Sequence, residues 1–113
     1  MRHEMKKIGR IIDELTTLFL NEDTNEIDLK ILTNKAETII TLKDYQTRYK
    51  PDEIKRLESL LNQQRQREIE EYYWQLAGET DEGDELVLVS AMIDEAKLEL
   101  EDGNLIMTLI RRY

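Results

Sequence analysis

Cysteine is absent from this 113-residue chain, histidine occurs once, as His3, and proline once, as Pro51. Without cysteine there is no disulfide framework, thiolate metal site, cysteine nucleophile or redox pair. With a single histidine near the N-terminus, a Ser/His/Asp triad and a multi-histidine metal centre are excluded as well. Apolar runs stop at four or five residues, too short to cross a bilayer as a helix. No basic stretch leads into an apolar one at the N-terminus, so no signal peptide is expected and the location expected is cytoplasmic.

Basic charge is also scarce, with 16 Lys and Arg against 25 Asp and Glu, a net charge of −9. Neutralising a nucleic-acid backbone needs a basic face, so direct nucleic-acid binding is not expected. The deficit is local. Residues 1–50 hold nine basic and nine acidic side chains, whereas residues 77–102 hold ten acids and one base, Lys97.

The apolar residues that are present recur at helical spacing. Met5, Ile8, Ile12, Leu15 and Phe19 predict a helix over 3–21 with one apolar face. Leu29, Leu32, Ala36, Ile39 and Ile40, continuing to Tyr45 and Tyr49, predict a second over 26–49, ended by Pro51. A third is expected over 52–77, opened by Pro51 with Asp52 and Glu53 in its first turn and closed by Gly78. Leu86, Val89, Ile93, Ala96 and Leu100 predict a fourth over 84–101. The whole reads as one all-α domain, residues 1–113: an antiparallel helical bundle of about four helices, with two long middle helices and an acidic loop at 79–85. The exposed ends of the long helices suggest a coiled-coil seam and a homodimer. A competing reading makes the protein α+β, because Lys97–Glu101 alternates and Asp102-Gly103 suits a type I′ turn, giving a C-terminal β-hairpin over 97–110.

Three features could carry function. Tyr72, Tyr73 and Trp74 are consecutive, so on a helix they spread round too wide an arc to enter one core, and an aromatic anchor for a protein partner is expected there, flanked by Arg65 and Arg67. The acids Asp81, Glu82, Asp84 and Glu85 adjoin it, but they lack the alternation of a calcium-binding loop. A run of carboxylates can also stand in for a nucleic-acid backbone, which would make the chain an inhibitor of a nucleic-acid-binding protein, of the kind encoded by phages and mobile elements. Finally, Glu68 with Glu71 and Glu99 with Asp102 form two spaced carboxylate pairs that could hold Mg²⁺ from facing helices. This spacing is similar to that of all-helical nucleotide pyrophosphohydrolases of the MazG type, and at these four positions the resemblance implies Mg²⁺-dependent nucleotide hydrolysis. The leading expectation is a non-catalytic protein–protein interaction module, a small regulator, adaptor or assembly chaperone. It would use no cofactor and no membrane, and would bind a protein partner.

Overall fold

The structure, a computed structural model, describes residues 3–20, 26–63, 65 and 84–113, with the side chains of Asp84 and Glu85 excepted. Helix α1 spans Glu4–Leu20, strand β1 Ile27–Thr33, β2 Glu37–Asp44, helix α2 Pro51–Leu61, α3 Asp84–Met92, β3 Glu95–Glu101 and β4 Asn104–Arg112. The four strands form one antiparallel sheet in the order β1-β2-β4-β3. The protein is therefore α+β, and the expected all-α helical bundle with its coiled-coil seam is overturned.

The first helix lies where its spacing places it, with Ile11, Leu15 and Phe19 buried. The expected helix over 26–49 is instead the β1–β2 hairpin. Its seven β-branched residues, Ile27, Ile31, Thr33, Thr38, Ile39, Ile40 and Thr41, favour a pleated backbone. The Asn34 side chain accepts hydrogen bonds from the Ala36 and Glu37 amides at 2.7 and 3.0 Å, an Asx turn that reverses the chain. The expected helix over 52–77 begins at Pro51, where Glu53 reaches back to accept from the Lys50 amide at 2.9 Å. It stops at Leu61; the remainder of that expectation falls mostly outside the described residues. The expected helix over 84–101 is divided. Only α3 is helical, and at Glu95 the chain becomes a strand that turns at Asp102-Gly103, both with positive φ (52° and 81°), into β4.

Period-two burial fixes which face of the sheet points inward. Thr38, Ile40, Leu42 and Asp44 on β2 are buried, as are Leu105, Met107, Leu109 and Arg111 on β4 and Ala96 and Leu98 on β3. Against this face pack Ile11, Leu15 and Phe19 of α1, Ile54 and Leu61 of α2, and Val89 and Met92 of α3. Leu88 to Met92 are buried without a break, as expected for a short helix that is apolar all round and wedged between α1 and α2. Phe19 meets Tyr49 edge to face, with ring centroids 6.0 Å apart. No helix among the described residues is long and apolar enough to cross a membrane.

A buried arginine and a partly buried glutamate tie the layers together at one end of the sheet. The Arg111 guanidinium, 1% exposed, donates to both carboxylate oxygens of Glu4, at 2.5 and 3.0 Å, and to the Met92 carbonyl at 2.6 Å. It thereby links β4 to the start of α1 and the end of α3. Beside it, the Tyr113 hydroxyl bonds Thr38 and Thr33, and the Tyr113 amide donates to Ala36 at 3.0 Å.

Candidate interaction surface

Because side chains alternate along a strand, the residues between the buried ones form the outer face of the sheet. Register sorts them into rows. Leu32 lies opposite Ile39, Ile39 opposite Ile110, and Ile110 opposite Glu95. The next row runs Lys30, Thr41, Thr108, Lys97, and the one after it Asp28, Lys43, Ile106, Glu99. No element among the described residues packs on this face. Its centre is thus a strip of isoleucine and threonine, extended at one side by Leu32, which is 54% exposed.

Among the charges round the strip, two pairs of opposite sign are joined. Arg112 bonds Glu95 at 2.6 Å and Lys97 bonds Glu99 at 3.0 Å, and in each case the partner carboxylate holds the basic group's pKa above its ordinary value. At one corner the Lys43 ammonium sits 4.7 Å from the centre of the Tyr45 ring. The Tyr45 hydroxyl donates to Asp28 at 2.6 Å, a bond that raises the phenol's pKa. Among the described residues, this face has no convergent basic groups to grip phosphate.

The two edges of the sheet differ. Three outward backbone groups of β3 are occupied by side chains from α2 and its C-cap. Asn62 accepts from the Ala96 amide and donates to the Ala96 carbonyl, both at 2.8 Å, and Glu58 accepts from the Leu98 amide at 2.7 Å. Asn62 thus reproduces a strand's paired hydrogen bonds. On β1, Glu26 accepts from Tyr45 and Asn34 donates to Glu37, so the even-numbered residues face β2. The amides and carbonyls of Ile27, Leu29, Ile31 and Thr33 point the other way, along an edge where no strand pairs among the described residues.

Of the residues singled out in the sequence, Arg65 is described and is nearly buried, its side chain 7% exposed. It donates to Asp94 at 2.7 Å and to the Arg112 carbonyl at 2.6 Å, while Asp94 also accepts from the Arg112 amide at 2.6 Å. This latch holds the chain after α2 against the end of β4. Arg67, Tyr72, Tyr73, Trp74, Asp81 and Glu82 lie outside the described residues, as do Glu68 and Glu71. Asp84 and Glu85 open α3. Glu99 stands on β3 and Asp102 in the hairpin turn, so this second carboxylate pair is not on a helix. Among the described residues no group of acidic or histidine side chains is arranged to hold a metal ion.

The sequence reading did not pick out the outer strip or the open edge. Their signals are the doublets Ile31-Leu32, Ile39-Ile40, Leu105-Ile106 and Leu109-Ile110, which place an apolar side chain on each face of a strand. Among the described residues, one cleft of about 230 Å³ is lined by Tyr49, Glu53, Arg56, Leu57 and Leu60, and a hollow of about 390 Å³ on α1 is lined by Lys6, Gly9, Arg10 and Asp13. In comparisons with known proteins, no family model, no curated protein and no solved structure matches this chain.

Proposed function

We propose that the protein is a non-catalytic interaction module of the cytoplasm that binds another protein through the outer face of its sheet. One observation carries this reading: the strip of Leu32, Ile39 and Ile110, flanked by Thr41 and Thr108, runs across three strands and is bordered by the ion pairs Arg112–Glu95 and Lys97–Glu99. An apolar centre with a polar rim is the anatomy of a protein-binding patch. The residues suit this better than chemistry on a small substrate, since the best-placed charged groups are engaged in holding the fold: Arg111 with Glu4, Arg65 with Asp94.

The test is capture from a lysate of the native host, comparing the wild-type chain with Ile110→Lys and Thr108→Arg. Both substitutions lie on β4, away from the open edge, and circular dichroism checks that each variant is folded. A protein retained by the wild type and lost from both folded variants is the expected result. An identical set of retained proteins would refute the reading.

A further inference from the structure

We propose that a second copy of this chain docks on the open edge of β1, joining the two sheets into one of eight strands. This does not rest on the interaction-module reading, which uses the face of the sheet and not its edge.

The observation that selects a second copy as the occupant is the charge pattern of β1 itself. Two β1 strands meeting about a two-fold axis run antiparallel, and only residues with outward backbone groups can exchange hydrogen bonds. Those are Ile27, Leu29, Ile31 and Thr33, so the axis must fall opposite a residue and not between two. With the axis at Leu29, Ile27 faces Ile31 of the second copy, Leu29 faces its own equivalent, and Asp28 faces Lys30. Asp28 and Lys30 then occupy the pairs without backbone hydrogen bonds, where opposing side chains approach most closely, and the symmetry forms this ion pair twice. Moving the axis to Lys30 would set lysine against lysine, and moving it to Asp28 would set aspartate against aspartate. Each clash is repulsive, and an axis at Ile31 would set Lys30 against Leu32 with no ion pair, so the charges favour the axis at Leu29.

Among the described residues, the fold leaves room for this arrangement. A two-fold axis perpendicular to the sheet keeps the inner faces of both copies on the same side. On β1, Ile27 and Leu29 are only partly buried against the core, and no strand lies beyond them among the described residues. Ile31, which points to the inner face, is 48% exposed and would meet Ile27 of the second copy. Lys30 forms no ion pair with any described residue of its own chain, so a counter-charge from outside displaces no existing pair.

Sedimentation velocity on the full chain is the test, run up to about 100 μM, where contacts of micromolar Kd are populated. The expected species has twice the 13.5 kDa chain mass. Lys30→Asp, which sets two carboxylates against each other in each pair, should return the protein to monomer, and the double exchange Asp28→Lys with Lys30→Asp should restore the dimer. Hydrogen exchange gives a reading that needs no variant: the Ile27, Leu29 and Ile31 amides should gain protection as concentration rises. A wild-type monomer at the top concentration, a dimer indifferent to Lys30→Asp, an exchanged variant that stays monomeric, or edge amides whose protection ignores concentration would each overturn the proposal.

Discussion

At the scale of single residues, the structure concentrates its electrostatic cost in a few buried groups. Arg111 on β4 and Glu4 on α1 are separated by almost the whole length of the chain and form a two-pronged charge pair. Taking two charges out of water is expensive, and the pair repays this only while both partners are present. Glu4→Ala leaves the guanidinium its bond to the Met92 carbonyl but removes the Glu4 counter-charge. It should lower unfolding stability by about 3 kcal/mol in urea titration, within the range for breaking a buried pair, whereas Glu4→Gln, which keeps an acceptor, should cost less. Asp44 acts in the opposite sense. Burial beneath the sheet raises its pKa above 3.8, and a hydrogen bond from Thr47 offsets this only in part. The folded chain therefore holds this proton more tightly than the unfolded chain does. The stabilising contribution of Asp44 is full below the unfolded value and is lost as pH rises through the raised one. Asp44→Asn should raise the thermal midpoint at neutral pH, and the gain should shrink as the pH is lowered towards 3.8. A gain that is constant with pH would show that the carboxyl is not the cause.

At the scale of elements, the edge of β3 makes the sharpest prediction. Asn62 ends α2 and, with the two arms of its amide, substitutes for a fifth strand. Asn62→Ala would leave the Ala96 amide and carbonyl without that partner, costing about 1–2 kcal/mol of stability. It would also uncover a strand edge, so light scattering on standing should rise relative to the wild type. A loss of stability without increased scattering would show that other groups still shield the edge. The same element shows what was and was not legible beforehand. The Pro51 start of α2 is readable because proline acts locally, restricting Lys50 and suiting the first helical turn. The stop at Leu61 is not, because Asn62 is held there by Ala96, 34 residues away. The strands were obscured for a related reason. A strand with one wet face alternates, but β1, β2 and β4 carry apolar side chains on both faces, and the doublets Ile31-Leu32 and Ile39-Ile40 mimic a helical period. The residues that concealed the sheet are thus those of its outer strip. Of the sites expected from sequence, Arg65 was noticed for its neighbourhood to aromatic residues, whereas its charge partner, Asp94, is brought close only by tertiary folding.

At the scale of the whole molecule, two hairpins from opposite ends of the chain meet along β2 and β4, and their shared seam carries the core. The charge of −9 is distributed over this frame so that acids on the sheet are matched locally, Glu95 by Arg112 and Glu99 by Lys97. Encounters between two copies are therefore not governed by the net charge alone, because repulsion over distances beyond about 8 Å is screened at physiological salt while pairs in contact are not. The asymmetry of the two sheet edges then sets an upper limit on assembly. Growth of a chain of molecules needs two reactive ends on each unit, and the amide of Asn62 occupies one of them. In the vocabulary of polymer chemistry the proposed assembly would make the protein a monofunctional unit: two copies joined at β1 would terminate each other, and the association would stop short of a fibre.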